Sequence, residues 1–227
     1  MFCRLKNNNP GRGEQRENWE DNAPMAESGS SAAQVITEED ALRAHYYWFL
    51  GRLLAAPADQ GVLAIAAGLS GDDTELGQAL GALAKVAKSL TPADVKDEYH
   101  SLFIGLGRGE LLPFASYYLT GFLHEKPLAK LRADMGERGI ARADDVKEPE
   151  DHIAALCEMM AGQIRGDFGT PVDLYDQRDF FAAHLAPWAG RFFEDLEAAE
   201  SARFYMPVGT IGRIFMKIEA TAFEMVN

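Results

Sequence analysis

Three short segments of this 227-residue chain hold residue types that could do chemistry. Gly105-Leu106-Gly107-Arg108-Gly109 has the glycine density of a phosphate-binding loop. It lacks the Lys-Ser/Thr that completes such a loop, and no strand precedes it. It also falls at a helix C-terminus, where the dipole has the wrong sign for an anion, so it reads as a glycine-rich helix stop. A GTP-responsive switch at this loop is the weakest of three function classes. Glu148-Pro149-Glu150-Asp151-His152 groups three acids with an imidazole. On a helix Glu148 and His152 would share a face and could meet one ion. Asp151 and His152 would point about 100° apart, which does not make a general-base pair. The five histidines form no His-Glu-x-x-His ligand pair, and no Gly-x-Ser-x-Gly elbow occurs. A small helical metal-binding enzyme using Glu148 and His152 is the alternative function.

The third segment, Leu111-Leu112-Pro113-Phe114-Ala115-Ser116-Tyr117-Tyr118, places aromatic rings beside a proline where a soluble loop is usually polar. Pro113 forces an extended residue before it, so Phe114, Tyr117 and Tyr118 stand where a helix restarts, with Ser116 helping to cap it. Large, stiff side chains with polar tips suit a peptide-binding surface, and loop packing accounts for them equally well. Just upstream, Tyr99-x-x-Leu102-Phe103-x-x-Leu106 has the spacing of a buried helical stripe. Pro149 at a first helical turn, with Glu148, Glu150 and Asp151 at the positive helix end, is a sufficient structural account of the acidic segment. It leaves His152 unexplained. Asp151 and His152 can accept and donate hydrogen bonds to a partner's backbone or to an arginine.

The elements that must position these residues are helical almost throughout. Thr37 caps a helix that carries Leu42, Tyr46, Phe49, Leu50, Leu53 and Leu54 and ends at Pro57. Further helices are predicted at about 59–69, 74–90, from Thr91-Pro92 to Gly105, at 127–138, from Pro149 through Ile164, and at about 173–183, 184–200 and 207–225. A loop or short helix covers 110–124 and an acidic turn 142–148. No run alternates as a strand would. The fold class is all-α, a single-domain bundle of about nine to eleven helices over 37–227. Residues 1–36, rich in Asn, Gly, Ser and Glu, are expected to be a disordered tail, with Met25 an alternative start.

Composition narrows the partners. With 35 acids against 22 bases the formal charge is −13, which argues against nucleic acid and suits a basic peptide. Two cysteines, Cys3 and Cys157, exclude a disulfide framework or thiolate zinc site and favour a reducing compartment. No stretch approaches the length of a membrane span, and no secretory signal opens the chain, so the expected location is the cytoplasm. No cofactor is expected.

Taken together, Tyr99-His100-Ser101-Leu102-Phe103-Ile104-Gly105, Pro113-Phe114-Ala115-Ser116-Tyr117-Tyr118, Glu148-Pro149-Glu150-Asp151-His152 and the later His184-Leu185-Ala186-Pro187-Trp188 resemble the motifs of the TorD/DmsD family. These are cytoplasmic chaperones, related to the NarJ group, that serve molybdenum oxidoreductases. The resemblance is firm over about 98–193 and extends over 38–225 in helix order. It implies an all-α, non-catalytic chaperone. Such a chaperone binds the apo catalytic subunit, through its N-terminal twin-arginine signal peptide, until the molybdopterin cofactor is inserted. It also implies a peptide surface at Leu102, Phe103, Pro113, Phe114, Pro149, Asp151 and His152, which Tyr99, Ser116, Tyr117, Tyr118 and Glu148 extend. Where family members often have Gly-Pro after Leu-Phe, this chain has its glycine run, which implies a looser loop. The expected partners are the apo subunit and its leader, with the chaperone a monomer or homodimer.

Overall fold

Short polar side chains turned back on their own backbone set most of the early helix starts. Thr37 Oγ1 accepts the Asp40 amide ahead of α1 (Glu38–Ala55), and Asp59 that of Val62 ahead of α2 (Gln60–Ala67). Thr74 accepts from Gly77 ahead of α3 (Glu75–Ala87), and Thr91 and Asp94 cap each other reciprocally at α4 (Pro92–Tyr99). Each cap satisfies an amide that the helix itself cannot, an effect of about 1 kcal/mol. The helices that follow are α5 (Ala115–Thr120), α6 (Lys126–Glu137), α7 (Ile153–Arg165), α8 (Leu174–His184), α9 (Ala189–Ala198) and α10 (Tyr205–Glu224). The computed structural model describes residues 5–7 and 36–226. Among them the fold is all-α, as the periodicity implies. The rest of the expected tail, Cys3 included, lies outside the described residues.

Helix α7 is the axis of the bundle. Every residue from Ile153 to Ile164 is buried except Glu158, so this helix is apolar nearly all round, as a helix enclosed by others must be. Helix α1 runs against it, and Gly51 lets the backbones close: a Cβ there would lie 3.2 Å from the Ala154 carbonyl oxygen. Helix α10 packs on α9 and α3, and Gly212 leaves no room for a side chain, since an added Cβ would fall 2.2 Å from the Phe193 ring. Between α1 and α10 a polar lock adjoins the packing of Tyr46 and Tyr47 on Phe215. Arg43 binds both carboxylate oxygens of buried Glu219 at 2.8 Å, and the Tyr47 hydroxyl donates to the same group at 2.9 Å.

Four features depart from the sequence reading. Helix α4 does not continue smoothly: at His100–Ile104 it widens into a π turn, and Gly105, with φ 62°, ends it. Leu106 lies past that stop and is fully exposed instead of joining the stripe of Tyr99 and Leu102. The acidic segment starts its helix late. Pro149–Asp151 form a turn, with the His152 amide donating to the Pro149 carbonyl, and α7 begins at Ile153. Finally, β1 (Leu5–Asn7) and β2 (Ile140–Arg142) pair antiparallel, Lys6 opposite Ala141. At three residues each they are too short for alternation to register in sequence.

Candidate functional site

Helix α5 has only six residues, too few to be stable alone, and its own N-cap residue Phe114 supplies no side-chain bond. The cap comes from 35 residues away: an Asp151 carboxylate oxygen accepts the Ser116 amide at 2.8 Å, and the Asp151 carbonyl accepts the Ala115 amide at 3.0 Å. In return the Ile153 amide donates to the Pro113 carbonyl at 2.9 Å. Phe114 and His152 thus face each other across an isolated antiparallel bridge, their rings edge to face with centroids 5.0 Å apart. One residue further on, His152 Nδ1 accepts the Ala154 amide at 3.1 Å. Adjacent residues therefore cap two different helices, Asp151 capping α5 and His152 capping α7. Proline before them makes the turn that points the two caps apart.

The protonation of His152 follows from this geometry. A ring nitrogen that accepts a hydrogen bond cannot carry the proton, and burial lowers the imidazole pKa to about 4. At neutral pH it is uncharged, with Nε2 carrying the hydrogen. It serves as a cap, not as a proton-transfer base.

Of the other two acids of the segment, one is spent within the fold. Glu150 is buried and held by Arg132 at 2.8 Å and by Arg142 at 3.4 Å, which fastens α6 and β2 to the turn. Glu148 is exposed, and its carbonyl receives Arg142. Because Glu148 lies outside any helix, the four-residue spacing does not bring it and His152 onto one face, and the two-ligand metal arrangement loses its basis. Among the described residues no three His, Cys, Asp or Glu side chains form a metal-holding group.

The structure divides the twelve site residues in two. Tyr99, Leu102, Pro113, Ser116 and Asp151 are buried and support the site from below. The Tyr99 hydroxyl donates to the Leu54 carbonyl, and burial first, then Glu148, pushes its pKa up to about 12. Phe103, Phe114, Tyr117, Tyr118, Pro149 and His152 are half-buried, and Glu148 is exposed. Phe103 leans on Tyr99 and Tyr205. Tyr118 lies against Trp188 and Phe192 and donates to Asp195. Arg108, from the glycine loop, lies over the Tyr117 ring at 5.1 Å and bonds its hydroxyl.

Several contacts that hold the site together were not foreseen from sequence, although His184 and Trp188 belong to one of its motifs. Glu98 accepts the amides of Arg203, Phe204 and Tyr205 at 2.7 to 2.9 Å, capping α10 from α4. Glu110 does the same for Glu200 and Ser201. His184 bonds Asp134 through Nε2, and its carbonyl receives the Trp188 indole. The Asp134 hydrogen bond works against burial, which holds this imidazole below its ordinary range. Apart from the local Trp188 bond, these partners lie 50 to 107 positions away and carry no local signal. Beyond α5 the surface turns apolar and exposed, with Leu119, Phe122 and Leu123, the last two 71% and 38% accessible.

Comparison with known proteins bears on this arrangement. A family model described as nitrate reductase delta subunit matches residues 70–194, more than half of the chain and all of the segments that meet at α5. The chain belongs to this family. Its kinship with the TorD chaperones follows from its relatives. It is 23% identical to chaperone protein TorD of Vibrio parahaemolyticus over 78% of this chain and 93% of that one. It is 28% identical to chaperone protein TorD of Vibrio cholerae, there spanning just over half of that protein, 58%, and 53% of its own length. Chaperone protein YcdY of Escherichia coli is 29% identical over 58% of this chain and 66% of its own. These family relatives are named as chaperones, not enzymes. The fold is shared with a protein of Archaeoglobus fulgidus described as a redox enzyme maturation protein, with TM-score 0.51 and 21% identity over 89% of this chain and 99% of that one. Among the described residues no helix is long and apolar enough to cross a membrane.

Proposed function

We propose that this chain is a maturation chaperone that holds the apo catalytic subunit of a molybdenum oxidoreductase, through its N-terminal leader, until cofactor insertion. The work is done in the cytoplasm, and a twin-arginine leader is the client segment that fits best. The observation that carries this reading is the bridge between Phe114 and His152. It joins two motif segments into one platform with half-buried rings, and exposed apolar Leu119, Phe122 and Leu123 follow it in the chain. Rigid aromatic anchors beside apolar surface suit an extended or helical peptide with an apolar core. The chain's net charge of −13 favours the basic start of such a leader.

The test is calorimetric titration of the full chain with a synthetic leader from a molybdenum oxidoreductase of the same organism. Saturable binding is expected, weakened about tenfold or more by Phe114→Ala. Equal affinity for a scrambled, charge-matched peptide would overturn the reading.

A further inference from the structure

The outer face of α1 is left uncovered along a groove of about 270 Å³. Leu42, Tyr46 and Phe49 follow one another at helical spacing on that face, and Leu69 and Leu80 complete the apolar lining, with Trp48 at the rim. Leu42 and Trp48 are 57% and 40% exposed, and large apolar side chains grouped in water mark an interaction surface. The groove is below the size of a small-molecule site and has room for one large side chain. Its surroundings are acidic. Glu38 stands one turn ahead of Leu42 on the same face, and Asp72 and Asp73 follow Leu69, all three exposed. Burial first, then Asp72, raises the Tyr46 hydroxyl above its ordinary pKa, so that carboxylate lies close to the groove. The two arginines of α1 are engaged by Glu219 and Asp59.

The complementary surface follows α5. Gly121, with φ 82°, donates to the Tyr117 carbonyl at 2.8 Å, and Thr120 Oγ1 accepts the Phe122 amide at 3.3 Å. His124, with φ 63°, is the one non-glycine among the described residues at positive φ. The turn is therefore built, and it presents Phe122 to solvent between the exposed Leu119 and Leu123. Lys126 and Lys130 stand exposed and line one cavity with Leu119, and Glu125 is the one acid from 119 to 130. In a chain of formal charge −13 this is a local surplus of cation.

We propose that the Phe122 turn docks in the α1 groove of a second copy of this chain. Phe122 enters between Leu42, Tyr46 and Leu80, and Lys126 and Lys130 face Glu38 and Asp72 across the rim. Charge decides between occupants. An anionic lipid surface would be repelled by the acids of the groove, and two grooves set face to face would oppose acid to acid. A turn already fixed by its own hydrogen bonds loses little freedom on docking. The inference does not rest on the client reading, since neither surface includes Phe114 or His152.

The test is sedimentation of the full chain from about 10 μM to about 1 mM, because a contact of this size is weak. Concentration-dependent association is expected. Phe122→Ala and Leu42→Arg both alter exposed residues, and each is expected to weaken association about tenfold or more with helical circular dichroism unchanged. Mixed in equal amounts, one variant supplies an intact groove and the other an intact turn. The mixture is expected to associate more tightly than either variant does with itself. A parent chain that stays monomeric at the highest concentration, variants that associate as the parent does, or a mixture no tighter than its components would each overturn the inference.

Discussion

Replacing His152 by Asn separates the two properties of that side chain. The amide oxygen of Asn takes the place of Nδ1 as acceptor of the Ala154 amide, so the cap on α7 remains, while the titrating group is removed. In the folded chain the imidazole has a pKa of about 4 because it is buried, against an ordinary value of 6.5. Between those values the unfolded chain binds a proton that the folded chain does not, so the parent loses stability as pH falls from about 6.5 toward 4. The difference of 2.5 units, at 1.36 kcal/mol each, bounds the effect at about 3 kcal/mol, of which about 2 kcal/mol falls between pH 7 and 5. At neutral pH His152→Asn is expected to cost about 1 kcal/mol, the edge-to-face contact with Phe114. On acidification that deficit should vanish and reverse. The assay is urea unfolding of parent and variant in parallel, read by helical circular dichroism at several pH values. Other titrating groups are common to both proteins and cancel in the difference. A deficit that stays constant within about 0.5 kcal/mol from pH 7 to 5 would refute the neutral, cap-forming imidazole.

Three further perturbations test the frame around the site. Burial, opposed by Arg52 and Arg165, raises the Glu158 carboxyl to about 8, so its contribution is full below about pH 4.5 and lost as pH rises through 8. Glu158→Gln is expected to be more stable than the parent by about 2 kcal/mol at pH 8 and equal to it near pH 4.5, measured by the same unfolding assay. Glu98→Ala leaves three amides at the start of α10 without their acceptor and is expected to cost about 3 kcal/mol, with faster hydrogen exchange at Arg203, Phe204 and Tyr205; Glu98→Gln should recover part of it. Glu219→Ala removes two of the Arg43 bonds and the acceptor of the buried Tyr47 hydroxyl and is expected to cost about 3 to 5 kcal/mol, whereas the Arg43→Met, Tyr47→Phe, Glu219→Met triple variant should unfold close to the parent midpoint.

The helices themselves were legible because their signals are local. Thr37 and Thr91 cap the helices that the sequence assigns to them, and the apolar spacing after each gives the buried face. Two local inferences misled. The 3.6-residue period placed Leu106 inside, but the π turn at His100–Ile104 breaks that period, and nothing in residue type announces it. Pro149 is a good first helical residue, yet here it makes a turn, because Asp151 is drawn away to cap α5 and only then can His152 open α7.

The candidate site shows the same division. The sequence by itself determined an all-helical chain, the motif segments worth examining, and an acidic net charge. All of these depend on residue type, spacing and charge over a few turns. Only the tertiary structure decided what those residues do. It set Asp151 inside against Ser116 and gave Glu150 to Arg132 and Arg142. The physical reason is that a buried acid must find its donors wherever the chain brings them. Here the amide that Asp151 holds lies 35 residues away, a distance over which sequence carries no periodicity.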